Sequence, residues 1–416
     1  MKTLLLLICC SFSLLCSAQK QNMELKQSIK NNTEDIFKSL VALRRDFHQH
    51  PELAGGEKVT KDKIINYLLS LGLEVKANGY GNSVIGILRG KKPGPAIGWR
   101  SDMDALPMDE STDSEFKSNN KGVSHGCGHD VHMTIALGIA QVLKKYKNDF
   151  SGTLYFIFQP EEESFIGAKR MVEGKHIDSL QLNEIYGLHV TALPVGDIMV
   201  RPNEIFAYQR RLQVQFNSVV EKEKLIQLKE AISTQISRVN TTTSPADISK
   251  MVDPNLGLGN PNTIFADYLF VSNFSMSHDN ENGKLSFDVY ETDKNKISNL
   301  VSTVEKIIEN KGLKERWQSI SFIMDNPTVQ NDSSLTSNAF QQMDRLKLSY
   351  GQAPYFNDDF AYFQKEIPGV YFLLGGSNIE KGIIAMNHAP NFQVDEACIQ
   401  VAVQEFSSFL LHRMKL

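Results

Sequence analysis

Cysteine is nearly absent from this chain once its first residues are set aside. Of five cysteines, Cys9, Cys10 and Cys16 crowd the start, and only Cys127 and Cys398 remain. Cys398 falls in an apolar C-terminal helical pattern that predicts a buried thiol, and no disulfide is expected. There is no long run of lysine or arginine and no basic patch interleaved with aromatics, so the charge needed to track a nucleic-acid backbone is missing. Beyond the first residues no stretch is long and apolar enough to span a bilayer. Internal repeats and low-complexity tracts are also lacking. Hydrophobic residues make up 41%, charged residues 22% and the net charge is −4, which excludes a disordered, collagen-like or polybasic chain. At 416 residues two globular domains are expected.

The start has its own logic. Met1-Lys2 precedes an apolar run from Leu4 to Leu15, and the small residues Ser17 and Ala18 follow. The run is short for a membrane span and suits a signal peptide over residues 1–18, cleaved after Ala18. Cys16 raises lipid anchoring as a rival, but Leu15 is bulky where a lipoprotein signal carries a small residue. The expectation is an exported protein, periplasmic or secreted.

Further on, helical spacing over Glu24 to His48 ends at His50-Pro51, and a second helix from Glu57 to Leu71 is closed by Gly72. Short apolar runs at Val84 to Leu88, Ala96 to Trp99, Thr153 to Phe158 and Glu184 to Leu188 alternate with helical segments at Val131 to Tyr146 and Phe165 to Val172. This order predicts an α/β fold, a mixed sheet covered by helices, with ligands at the strand ends. From Arg201 to Gly312 the texture shifts to alternating strands and two helices, Glu221 to Ser237 and Lys294 to Glu309. A smaller α+β domain with an antiparallel sheet is therefore expected over 201–312, inserted into a domain built from 19–200 and 313–416. Ile320 to Met324, a helix from Ser334 to Leu348, Val370 to Leu374 and a last helix from Glu396 to His412 are read as resuming the first domain.

Chemistry-bearing residues cluster at bends after the apolar runs: Asp102 and Asp104, then Cys127, His129 and Asp130, then Glu161 to Glu163, His189 and finally His388. Each alone is commonplace. Together, thiolate, imidazole and carboxylate form a ligand set for a first-row divalent metal. Cys127 and His129 are two apart and leave one face of an extended turn. Glu162 and Glu163 diverge, so one can coordinate while the other moves a proton. Asp102, Asp104 and Asp130 can steady ligating imidazoles from behind. His125 and His132 are candidate structural neighbours of the site, whereas His48, His50, His176, His278 and His412 read as structural or surface residues.

Three runs carry a resemblance: Arg44-Arg45-Asp46-Phe47-His48-Gln49-His50-Pro51-Glu52-Leu53, Arg100-Ser101-Asp102-Met103-Asp104-Ala105-Leu106-Pro107, and His125-Gly126-Cys127-Gly128-His129-Asp130-Val131-His132. Phe158 to Glu163, Gly187 to Val190, Asp359-Phe360-Ala361, Pro368-Gly369 and His388-Ala389-Pro390 follow in order. The chain resembles the M20 metallopeptidase family, in particular its amidohydrolase branch of hippurate, N-acyl amino acid and auxin-conjugate hydrolases. The resemblance implies two divalent ions, zinc first with manganese, cobalt or nickel as alternatives, held by Cys127, His129, Glu163, His189 and His388. It implies Glu162 as general base, a small-molecule amide such as an N-acyl amino acid as substrate, and a homodimer formed through the inserted lid.

The inserted segment departs from the family pattern. Relatives carry a histidine-containing motif there that helps stabilise the oxyanion, but no histidine occurs between His189 and His278. A metal-binding protein with weakened catalysis and a dipeptide exopeptidase stand beside the amidohydrolase as alternatives.

Overall fold

The computed structural model describes residues 2–239, 243–278 and 282–414, with side chains from residue 20 onward except at residue 278. A single helix runs over Lys2–Gln49, longer than the helix expected from Glu24. The side chains of the leader expected over residues 1–18 lie outside those described, as does Cys16. Among the described residues no helix is long and apolar enough to cross a membrane.

Among the described residues fourteen strands follow in chain order: β1 Glu74–Lys76, β2 Val84–Arg89, β3 Lys92–Asp102, β4 Ser151–Gln159, β5 Glu184–Pro194, β6 Ile198–Val200, β7 Asn203–Glu204, β8 Tyr208–Phe216, β9 Leu269–His278, β10 Gly283–Glu291, β11 Trp317–Met324, β12 Gln330–Asn331, β13 Leu346–Leu348 and β14 Gly369–Ser377. Eight of them form a mixed sheet in the order β1-β2-β4-β3-β5-β14-β6-β13. Its centre, β4-β3-β5-β14, is parallel, and β2 is antiparallel to β4.

Period-two alternation sends β4 into two cores at once. Leu154, Phe156 and Phe158 pack with the helices Lys2–Gln49, His129–Lys144 and Ala397–Arg413, while Tyr155 and Ile157 pack with Gly167–Glu173 and Phe360–Gln364 on the other face. A strand buried on both faces reads as a continuous apolar run, which is how β4 looks in the sequence. The helix His129–Lys144 is buried on almost every side, because the sheet lies beneath it and two helices flank it. Trp99 locks the layers together, with its ring 4.8 Å from that of Phe406 and only 1% of its surface exposed.

A second sheet, β11-β8-β10-β9, is antiparallel throughout. Leu212, Val214 and Phe216 point to the helices Lys222–Ile236 and Leu300–Asn310 and form a third core. Three sequence expectations are corrected. The segment around Ile320 to Met324 does not resume the large sheet. It is β11, an edge strand pairing with β8, because its alternating Trp317, Ile320 and Phe322 need the small core to cover one face. The small sheet therefore takes in residues beyond 312. The helix expected from Ser334 to Leu348 stops at Gln342, and Leu346–Leu348 turns into β13, which pairs parallel with β6. The helix expected over Lys294 to Glu309 likewise divides into Lys294–Ile297 and Leu300–Asn310.

Truncating Trp99 removes the largest apolar side chain from the junction of sheet and helices. Trp99→Ala is expected to destabilise the protein by about 3–5 kcal/mol, read as a lowered urea midpoint.

Candidate metal centre

The parallel strands deliver their C-terminal ends to one place. Asp102 ends β3, Gln159 ends β4 just before Glu162 and Glu163, and His189 lies in β5. Cys127 and His129 arrive at the start of the helix His129–Lys144, behind Gly128. Gly128 has φ of 94°, and a Cβ there would sit 2.4 Å from Val190 Cγ1, so only glycine lets the turn seat against β5. His388, with φ of 59°, follows β14.

The five expected ligands converge. Cys127 Sγ lies 3.3 Å from His189 Nε2 and 3.3 Å from His388 Nε2. Glu163 Oε1 is 3.4 Å from His388 Nε2 and 3.8 Å from His129 Nε2. The donor atoms of Cys127, His129 and His189 fall within 4.8 Å of one another, and so do those of Cys127, Glu163 and His388. Cys127 belongs to both groups.

Two imidazoles are set from behind. His129 Nδ1 donates to the Asp104 carbonyl at 2.8 Å, and His189 Nδ1 donates to the Val190 carbonyl at 2.8 Å. In the neutral form of each ring, Nε2 is then the nitrogen whose lone pair faces the cluster. The Asp104 carboxylate accepts the backbone N–H groups of Glu162 at 3.1 Å and Glu163 at 2.9 Å, which fixes the two-glutamate bend.

A divalent ion fits these residues on two grounds. His129 Nε2 and Glu163 Oε1 are buried without any hydrogen-bond partner, at the positions where a cation would satisfy both. The electrostatics agree. Burial, then Glu163, Glu162 and Asp102, push the Cys127 thiol well above its ordinary range, and burial with Asp358 and Glu163 lifts Glu162. His129 is pulled down by burial yet held up at about 10 by Asp102, Asp104 and Glu163. A buried group of acids this dense calls for positive charge.

Other residues take roles that the sequence did not assign. Arg100 is fully buried and bonds Asp102 at 2.6 Å, Asp359 at 2.9 Å and Asp358 at 3.1 Å, forming the floor beneath Glu162. The adjacent Asp358-Asp359 pair beside the apolar helix Phe360–Gln364 was the available signal. Asp102 bonds His132 Nδ1 at 2.7 Å, and His132 Nε2 accepts the Val190 N–H at 2.9 Å, so both nitrogens of His132 are occupied. His125 is buried, its pKa lowered to about 3 chiefly by burial, and neither ring nitrogen has a partner.

Asp130 is a correction. It does not brace a ligating imidazole but bonds Arg44 Nε at 2.8 Å and His48 Nδ1 at 2.7 Å, because the first turn of its helix turns it toward the long N-terminal helix. His48 is correspondingly buried and central to a network rather than a mere helix end. His50 and His176 are exposed, as expected.

A cavity of 390 Å³ opens beside the cluster, and Gln209, Asn273 and Tyr290 of the small sheet close it opposite Cys127, Glu162, Glu163, His189 and His388. The small sheet thus forms one wall of the site.

Residues 98–412 match the peptidase family M20/M25/M40. The chain belongs to that family. Membership makes it a hydrolase of amide bonds. It is similar to a thermostable carboxypeptidase of Saccharolobus solfataricus, 30% identical over 91% of this chain and 96% of the relative. It is also similar to an N-acetylcysteine deacetylase of Bacillus subtilis, 27% identical over 88% of this chain and 95% of the relative. The fold is shared with a solved Bacillus subtilis protein described as a dinuclear metal binding peptidase of family M20, at a TM-score of 0.72 and 24% identity, covering 92% of this chain and 99% of that one.

The Asp130 network carries a pH signature in this M20 chain. Glu110 faces His48 Nε2 at 3.3 Å. Burial opposes its charge, but His48, the Ser118 N–H and the Thr112 hydroxyl hold its pKa down at about 2, and Arg44 and His48 depress Asp130 further. Depressed carboxylates stabilise the fold above their unfolded values of 4.5 and 3.8 and lose that contribution as pH falls. The urea midpoint is therefore expected to drop as pH falls from 5 toward 2.5, and Glu110→Gln to drop less steeply over the same range.

Proposed function

We propose that the protein is a dinuclear metallo-amidohydrolase that releases the acyl group from an N-acylated amine, the class to which N-acyl amino acids belong. The observation that carries this reading is the pair of donor groups sharing Cys127 with Glu162 alongside, its Oε2 3.8 Å from His129 Nε2. Cys127, His129 and His189 would hold one ion, and Cys127, Glu163 and His388 the other, with zinc as the proposed metal. When bound, such ions polarise a carbonyl and acidify water. Glu162 then takes a proton from the attacking water and hands it to the leaving nitrogen. Burial and the neighbouring carboxylates raise its proton affinity, which suits a residue that must carry a proton between two partners. Asp104 keeps Glu162 and Glu163 apart in direction by fixing both backbone N–H groups. The names of relatives that act on N-acetyl groups, among them the N-acetylcysteine deacetylase and an N-acetyldiaminopimelate deacetylase of Lactococcus lactis, support deacylation.

Two variants separate ligation from proton transfer. Glu162→Gln is expected to keep its metal and lose about 10²- to 10⁴-fold in kcat. Cys127→Ala, by removing the shared donor, is expected to lose both ions together. Metal analysis of each purified variant beside an amine-release assay checks both outcomes, and a Glu162→Gln protein as active as wild type would sink the general-base role.

We also propose that the chain is exported, supported by the apolar run Leu4 to Leu15 and the small residues Ser17 and Ala18. Intact-mass measurement on protein from its native host is expected to show a mature chain starting at Gln19. A mass that includes the first eighteen residues would count against export by this route.

A further inference from the structure

Asp104 does not hold the two-glutamate bend by itself. Its carboxylate accepts the N–H groups of Glu162 and Glu163, and the N–H of Glu161 goes to Glu57 Oε1 at 3.0 Å. Three consecutive backbone N–H groups thus end on two carboxylates, one just past β3 and the other at the start of the helix Lys58–Ser70. Glu57 is buried, and both its oxygens are taken by N–H donors. Oε1 also accepts the Gly55 N–H at 3.0 Å, and Oε2 accepts Asn82 Nδ2 at 2.9 Å. Hydrogen bonds to a charged acceptor are strong, and removing that acceptor in a buried place leaves its donors orphaned.

Helix capping does not explain Glu57. Its side chain makes no cap contact with the helix it precedes. Glu52 supplies that contact instead, accepting the Val59 N–H at 3.2 Å and the Thr60 N–H at 2.8 Å. The two glutamates of this segment therefore divide the roles: Glu52 serves the helix, and Glu57 reaches across to the bend.

Glu161 is pinned twice. Its φ of 59° is left-handed, a conformation that residues with a side chain seldom adopt and that persists where the surroundings enforce it. Glu57 fixes its N–H, and the Tyr80 hydroxyl donates to its carboxylate. Among the described residues no converging donor group includes Glu161. What it supplies is direction. Beyond this turn Glu162 runs to Asp358 and Asp359, and Glu163 to Cys127 and His388. Asp104 holds the amides that follow Glu161, and Glu57 holds the amide of Glu161 itself.

We propose that Glu57 is a positioning residue of the metal centre. By fixing the Glu161 amide it aims Glu163 at the ion shared with Cys127 and His388 and keeps Glu162 free to move a proton. The inference rests on the dinuclear reading and adds to it a residue that touches none of the donor atoms.

Three variants divide the roles. Glu57→Leu keeps the bulk and removes both acceptors, Glu57→Gln keeps one oxygen for the Gly55 and Glu161 N–H groups, and Glu52→Ala removes the helix cap without touching the bend. Cobalt(II) titrated into each metal-free protein and followed by calorimetry reads both ion sites without turnover. Glu57→Leu is expected to weaken one of the two binding steps by about tenfold or more, the usual effect of removing a group that orients a ligand. Glu57→Gln is expected to restore that step, and Glu52→Ala to lower the urea midpoint with both steps as in wild type. Should Glu57→Leu not fold, Glu57→Asp, which draws the acceptor back by one methylene, is read in its place with the same split expected. Two unchanged steps, two equally weakened steps or the same split in Glu52→Ala would overturn the inference, as would a single binding step in wild type. Amine release by wild type is scored separately. Hydrolysis without the split removes this inference and leaves the amidohydrolase standing, whereas the split without hydrolysis does the reverse.

Discussion

Buried negative charge at the ends of the parallel strands is the constraint around which this site is organised. Asp102, Asp104, Glu162, Asp358 and Asp359 are all buried beside the Cys127 thiol, with Glu163 nearly so. Arg100 is enclosed among them and is consumed by the acids beneath Glu162. An unpaired charge in such surroundings costs several kcal/mol per group, so the arrangement is favourable only with cations present. Removing the acids singly would relieve repulsion but loosen the cluster, since Asp104 positions both glutamates and Asp102 holds His132 against β5.

The fold separates this charged end from two large apolar layers. Strands buried on both faces place side chains alternately into two cores and leave the chain's polar chemistry for the bends beyond. One network sits apart from the metal centre yet is continuous with it through the helix His129–Lys144. Asp130, next to His129, is paired with Arg44 and His48, and Arg44 reaches Glu396 near the C-terminal helix. The N-terminal and C-terminal parts of the chain are thus fastened to the element that carries His129. The small sheet contributes differently, lending Gln209, Asn273 and Tyr290 to the cavity rather than any of the five converging donors.

Much of the large sheet was legible in the sequence because its strands are continuous apolar runs and its helices have clear periodicity. Val84 to Leu88, Thr153 to Phe158 and the helix from Glu57 were placed within a few residues. Short edge strands were not. β13 has three half-buried or exposed residues and is a strand only because β6 offers it a partner. β11 was assigned to the wrong sheet for the same reason, since an alternating run states that one face is covered but not by what.

For the site, the residue types and their order determined the chemistry available: a thiol, imidazoles and carboxylates at bends, in the sequence motifs of one family. Tertiary structure decided which of them meet. It brought His388 to within 3.3 Å of Cys127 across more than half the chain, and it turned Asp130 away to Arg44 and His48. It also chose which imidazole nitrogens stay bare, because His129 and His189 spend Nδ1 on backbone carbonyls whereas His132 spends both. The physical reason is that sequence fixes donors and acceptors one residue at a time, while hydrogen-bond pairing and desolvation depend on neighbours that only the folded chain supplies.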